Sequence, residues 1–105
     1  MEIIPFTKIK VKLESSCRTY EGIKALLESE NLFEIIPRDR EEEILFSLCK
    51  NNYYWDNEYV YDDTVKTCKI NFVADQIIFN HNYNPDEKIK EICNGFEFYW
   101  KGKKI

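Results

Sequence analysis

The sequence predicts an α+β fold: a mainly antiparallel sheet of about five strands with three helices, in the order β-α-(β)-α-β-β-β-α-β. Three observations predict it. Several stretches alternate apolar and polar residues, three others have helical spacing, and the central strands are joined by short turns typical of an antiparallel meander. With 105 residues, 44% hydrophobic and 15% aromatic, the chain suits one globular domain spanning residues 1–105.

The first half of the chain is predicted to hold two helices and two strands. Residues 6–13 alternate apolar side chains with lysines, as a half-buried strand does. Helical spacing follows over residues 19–29, and the apolar run 32–36 before a proline indicates a short strand or an extended connector. Asp39 is a good helix cap with an acid three residues later. Residues 44–50 could also form a strand apolar on both faces, but the capping signal favours a helix.

The central stretch, residues 53–63, is predicted to be one continuous strand. It contains five aromatic residues and four acids, with no lysine or arginine. Because alternate side chains of a strand point to opposite faces, the odd positions predict an aromatic face and the even positions a mostly acidic face. The odd positions are Tyr53, Trp55, Asn57, Tyr59 and Tyr61.

The second half of the chain is predicted to form two further strands, a helix and a last strand. The strands cover residues 65–73 and 76–79. Asn84 is the expected helix cap, Pro85 the first helical residue and Glu87 the acid of the capping box. Alternation resumes over residues 96–101 and predicts a final strand with a basic tail.

Composition narrows the function classes. The formal net charge of −4 and the pI of about 5.1 disfavour general attraction to nucleic acid and favour a basic protein partner. The N-terminus lacks a signal-peptide pattern and no apolar run could span a bilayer, so a cytoplasmic location is expected. The four cysteines (Cys17, Cys49, Cys68 and Cys93) form no C-x-x-C pair and are expected to be free thiols.

The sequence carries no catalytic, cofactor or metal signature. His81 is the only histidine; the fold could bring any of the four cysteines to it, but the spacing favours none of them. Carboxylates two residues apart on a strand lie about 6.6 Å from each other, too far to share one ion. We therefore predict no enzyme, no cofactor and no metal site; a small hydrolase or nuclease is the third hypothesis.

The leading prediction is a protein-binding module. Tyr and Trp beside carboxylates suit arginine or lysine on a partner, and the residues expected to make this contact are Tyr54, Asp56, Glu58, Asp62 and Asp63. The module would act as a stoichiometric inhibitor that masks a basic surface, for instance of a nuclease or another nucleic-acid-binding protein. Phage-encoded antagonists of bacterial nucleases, including anti-CRISPR proteins, and toxin-immunity proteins have this general character, which is an analogy of class.

The alternative prediction is a small nucleic-acid-binding protein. Its surface would be the lysine face of the first strand, joined by residues of the last strand if those two strands are neighbours. The residues expected there are Lys8, Lys10, Lys12, Tyr99, Lys101 and Lys103, with Lys104 beside them. Lysines on an edge strand also discourage aggregation, which is the structural explanation for the same stripe.

Overall fold

The computed structural model describes residues 9–12, 18–28 and 33–105, with the backbone alone for 9–12 and 33–34. It confirms the predicted fold class, since the described part is α+β with three helices and a mixed, mostly antiparallel sheet of six strands. The elements are β1 (Ile9–Lys12), α1 (Tyr20–Glu28), β2 (Phe33–Ile36), α2 (Arg40–Lys50), β3 (Tyr53–Asp56), β4 (Tyr59–Asp62), β5 (Val65–Asn71), β6 (Gln76–Phe79), α3 (Glu87–Ile92), β7 (Glu97–Trp100) and β8 (Lys103–Lys104).

The six-stranded sheet follows chain order, β3-β4-β5-β6-β7-β8. Every neighbouring pair is antiparallel except β6 and β7, which are parallel. The chain between β6 and β7 contains α3, because a parallel pair needs a long crossover and cannot be closed by a tight turn. β1 and β2 form a separate two-stranded parallel sheet, again with a helix between them.

The prediction of one continuous strand over residues 53–63 is wrong. The stretch is a hairpin of β3 and β4, with Asn57 at a φ of 53° in its turn, a conformation that asparagine tolerates better than most residues. The two-residue turn makes each odd residue of β3 face an even residue of β4, so Trp55 pairs with Val60 on the core side. Tyr54 pairs with Tyr61 on the opposite face, and the single aromatic face predicted from period two does not form.

Helices α2 and α3 begin at charged caps. Asp39 accepts from the backbone N–H of Glu42 at 3.0 Å, which confirms the predicted cap of α2 and settles residues 44–50 as helix. α3 begins later than predicted, because Asp86 and not Asn84 is the cap and accepts from the N–H groups of Lys88 (2.9 Å) and Ile89 (3.2 Å). A carboxylate is favoured at a helix N-terminus because it interacts with the helix dipole as well as with the free N–H groups.

The predicted basic tail is also more structured than expected. Lys101 and Gly102 both have positive φ values, of 53° and 75°, and they turn the chain back so that β8 pairs with β7. Glycine takes this conformation without a steric cost. The six-stranded sheet therefore ends in a two-residue, lysine-bearing edge, which is the kind of edge that resists strand addition.

The core lies between one face of the sheet and the helices. Ile23, Leu48, Val60, Ile77 and Ile89 are almost completely buried in it. Some large side chains on the other face of the sheet are exposed to solvent. The contrast is clearest on β6, where Ile77 is 0% exposed and Ile78 is 42% exposed. Among the helices of the described ranges, none has the length and apolar character needed to cross a membrane.

Candidate partner-binding cleft

A cleft opens where the N-terminus of α1 meets the edge strand β3. Its volume is about 310 Å³, within the range of small-ligand sites. We call it the acidic cleft; its lining residues are Arg18, Thr19, Tyr20, Glu21, Tyr54, Trp55, Asp56 and Asn57.

Arg18 joins the elements that form the cleft. Its Nη2 donates to Asp39 Oδ2 at 2.7 Å and its Nη1 donates to Glu41 at the start of α2. Its backbone carbonyl accepts from Trp55 Nε1 on β3 at 3.0 Å. The hydrogen bond to Asp39, opposed by burial, raises the pKa of Arg18. One residue thus ties α1 to both α2 and β3, so the cleft is held from three sides.

A buried carboxylate completes this anchor. Glu42 is 0% exposed, and its Oε1 accepts from the backbone N–H of Arg38 at 2.6 Å while its Oε2 accepts from Arg38 Nε at 2.9 Å. Arg18 Nε lies 3.9 Å from Glu42 Oε2. A buried charge is tolerated only when it is paired and hydrogen-bonded, and Glu42 has both kinds of partner.

Aromatic rings form the wall of the cleft. Tyr20 meets Tyr54 edge-on at a centroid distance of 4.9 Å and meets Trp55 edge-on at 5.4 Å. The ring centroid of Tyr61 lies 5.7 Å from that of Tyr54. Edge-to-face contacts fix the ring orientations, so Tyr54, which is 38% exposed, presents a defined surface to the cleft.

Negative charge converges on this aromatic wall from two elements. Glu21 lies in the first turn of α1 and Asp56 ends β3, and both are exposed. Burial is the largest cause of the raised pKa of Tyr54, and Asp56 and then Glu21 add to it. Both carboxylates therefore act on the same hydroxyl group, which stays protonated. A cation in the cleft would have two carboxylates and an aromatic ring near it, together with Arg18, whose charge is paired with Asp39 and Glu41.

The five residues predicted to form one acidic face are separated. Tyr54 and Asp56 line the acidic cleft. Glu58 lies at the hairpin turn, where its Oε1 is 3.5 Å from Lys69 Nζ. Asp62 pairs with Tyr53 at the far end of the hairpin and shares the core-side face, and Asp63 occupies the next turn at a φ of 57°. The prediction of a shared face is wrong because the chain reverses within it.

The sequence assigned none of the cleft residues before β3 to a binding site: Arg18, Thr19, Tyr20 and Glu21. Tyr20 and Glu21 belong to the first turn of a helix, where tyrosine reads as core and an acid reads as a favourable dipole contact. Neither interpretation predicts a shared site, because the proximity of α1 to β3 is a tertiary contact. The one local signal in the sequence was an acid directly after a tyrosine at the start of a helix.

The alternative nucleic-acid surface is described only in part, and the strands expected to join its two halves are not paired in the described ranges. Lys8 lies outside the described residues, and Lys10 and Lys12 are described only as backbone in β1, which pairs with β2. β8 pairs with β7 instead, so in the described part the first and last strands are not paired. Tyr99, Lys101 and Lys103 sit on β7, in the following turn and on β8.

The described residues assemble no catalytic constellation. Burial raises the pKa of Cys49 and Cys68, and it raises the pKa of Cys93 to about 12, so these thiols stay protonated and unreactive. The cavity beside His81 contains none of them. Within the described ranges, no three metal-ligating side chains come together.

The comparisons with known proteins add nothing to this geometry. No protein-family model, curated protein or solved structure matches the chain.

Proposed function

We propose that this chain is a non-enzymatic protein-binding module that masks a basic surface of another protein by holding a cationic side chain in the acidic cleft. The observation that carries the proposal is the convergence of Glu21 and Asp56, from two separate elements, on the exposed ring of Tyr54. A lysine or arginine at this position gains charge-assisted hydrogen bonds and a ring-face contact at the same time.

The built-in order of the cleft supports a binding role. Arg18 fixes the start of α1 against α2 and β3, and the edge-on ring contacts limit the motion of Tyr20 and Tyr54. A site that is already ordered loses little conformational entropy on binding. This suits a stoichiometric inhibitor, whose affinity must come from a small surface.

The chemistry of the cleft favours a partner with clustered lysines or arginines. Nucleases and other nucleic-acid-binding proteins carry such clusters because they contact phosphates. An acidic protein is steered toward them by long-range attraction. A masking protein of anti-CRISPR, anti-defence or immunity-protein character fits this description.

A defined basic peptide tests the proposal. A fluorescein-labelled peptide of alternating arginine and glycine, carrying about four positive charges, is titrated with the protein at low salt. The paired variant Glu21→Gln with Asp56→Asn is expected to weaken binding by about thirtyfold, since each of the two lost charge-assisted contacts costs on the order of 1 kcal/mol.

The matched control removes the same charge elsewhere. Asp62→Asn with Asp63→Asn neutralises two carboxylates at the far end of the hairpin and is expected to leave the affinity within about twofold. Circular dichroism confirms that each variant keeps its fold. Equal weakening by both pairs would show that overall charge attracts the peptide, and the proposal for the cleft would be rejected.

A further inference from the structure

A second surface lies around the C-terminal end of β6, on the same face of the sheet as Asp56 of the acidic cleft. Two cavities adjoin there, of about 360 and 400 Å³, and both are lined by Ile78 and Phe79. One extends across β5 to Tyr59 on β4, and the other extends to the turn between β7 and β8. We call the two together the lysine groove.

The charge of the lysine groove is opposite to that of the whole chain. Lys66 and Lys69 line one cavity, and Lys101 and His81 line the other. None of the described residues that line either cavity is acidic. Two carboxylates border the groove: Glu58 Oε1 lies 3.5 Å from Lys69 Nζ, and Asp56 pairs with Tyr59 across β3 and β4. Because salt screens charges beyond about 10 Å, an approaching anion senses these lysines more than the net charge of −4.

Aromatic rings accompany the lysines. The ammonium group of Lys66 lies over the ring of Tyr59 at 4.3 Å from its centroid, and that of Lys101 lies over Trp100 at 4.4 Å. In each pair the ammonium group covers one face of the ring, and of the two rings only that of Tyr59 lines a cavity of the groove. A base could stack on the other face of Tyr59 while its phosphate contacts a lysine.

The floor of the groove is fixed by the sheet. Asn80 Nδ2 donates to the carbonyl of Lys66 at 2.9 Å, and Trp100 Nε1 donates to the carbonyl of Asn80 at 3.3 Å. These bonds hold β5, the end of β6 and β7 together at the groove.

Strand pairing determines how far the surface extends across the sheet. It places Tyr59, Lys69, Ile78 and Tyr99 in one row across four strands. Such a row spans about 14 Å at the usual strand spacing, which exceeds the length of a single nucleotide.

We propose that the lysine groove binds single-stranded nucleic acid, with phosphates at Lys66, Lys69 and Lys101 and a base stacked on Tyr59. A single-stranded nucleic acid fits better than a mononucleotide because lysines lie at both ends of the groove. It fits better than a duplex because stacking on a ring requires an unpaired base. This surface shares no lining residue with the acidic cleft, although Asp56 of the cleft pairs with Tyr59 of the groove.

The test is fluorescence anisotropy with a fluorescein-labelled strand of about ten thymidines, measured from low to moderate salt. The paired variant Lys66→Gln with Lys101→Gln is expected to weaken binding by about tenfold and to lower the slope of log affinity against log salt by about 1.4, since two phosphate contacts are lost. Tyr59→Leu is expected to weaken binding by about tenfold without changing that slope, because stacking releases no counterions.

Lys50→Gln with Lys88→Gln is the matched control, since it removes the same charge from helices α2 and α3, and it is expected to change the affinity by less than about twofold. Thermal unfolding of each variant confirms that it is folded. Equal weakening by both lysine pairs, or equally tight binding of a duplex of the same length, would overturn the proposal. Displacement of the strand by an equal concentration of thymidine monophosphate would overturn it as well.

Discussion

The acidic cleft and the lysine groove lie on one sheet, and each combines charged side chains with an aromatic ring, but the charges are opposite in sign. In the cleft, carboxylates from α1 and β3 flank Tyr54; in the groove, ammonium groups from β5 and from the turn after β7 accompany Tyr59 and Trp100. The net charge of −4 is the sum of such patches and describes neither. The difference teaches that a partner class has to be argued from each patch and its aromatic neighbours.

The two surfaces also differ in what holds them. The cleft depends on ion pairs between the ends of α1 and α2, centred on Arg18 and the buried Glu42. The groove depends on strand pairing and on the hydrogen bonds of Asn80. Changes in α2 should therefore damage the cleft first, whereas changes in the sheet should affect both surfaces.

The largest effect is expected from Glu42→Ala. It leaves Arg38 and Arg18 without their buried counter-charge, so the free energy of unfolding should fall by about 4 kcal/mol, measured by urea denaturation. At low urea the remaining folded protein should lose affinity for the basic peptide and keep its affinity for the thymidine strand. Glu43→Ala, at an exposed site in the same helical turn, should change stability by less than about 0.5 kcal/mol. Equal losses from both variants would contradict the buried-anchor argument.

A smaller loss of stability is expected from substitutions on the two faces of β6. Ile77→Ala empties a fully buried site and should lower the free energy of unfolding by about 3 kcal/mol. Ile78→Ala, one residue along on the open face, should cost less than about 1 kcal/mol because its side chain is already partly in water. Ile78→Ala should nevertheless weaken binding of the thymidine oligonucleotide, because Ile78 lines both cavities of the lysine groove. Thermal unfolding with anisotropy measures both, and a similar loss of stability from the two variants would show that the outer face is packed.

The smallest effect is a pH dependence at the helix that anchors the cleft. The hydrogen bond from the Glu42 N–H, and then that from Arg18, hold the pKa of Asp39 below its usual value of 3.8. The stabilising contribution of this carboxylate is therefore present above the unfolded-state pKa and is lost as the pH falls through the lower folded-state pKa. An asparagine side chain caps a helix equally well without titrating, so the variant Asp39→Asn should show a shallower loss of stability between about pH 4 and pH 2. An unchanged acid profile in urea denaturation would contradict this role.

Local signals in the sequence were enough for most of the fold. The cap at Asp39, the strand patterns over residues 65–73 and 76–79, of which the first ends at Asn71 in the structure, and the apolar spacing of the helices act between residues close in the chain. They can therefore be recognised without tertiary information. Two local predictions failed, and each had a local competitor. Asn57 could enter a turn as well as continue a strand, and Asp86 was a stronger cap than Asn84.

By itself, then, the sequence determined the α+β class, the three helices and the presence of Tyr54 and Asp56 on one face of a strand, but it missed the division of residues 53–63 into two strands and the last strand, β8. Only the tertiary structure decided that Glu21 joins them, that Asp62 and Asp63 lie elsewhere, and that Lys66 and Lys101 border one groove. The reason is physical. Secondary structure is set largely by neighbours in the chain, whereas a binding surface is made by side chains from distant segments, whose approach depends on how the core packs and how each turn reverses the chain.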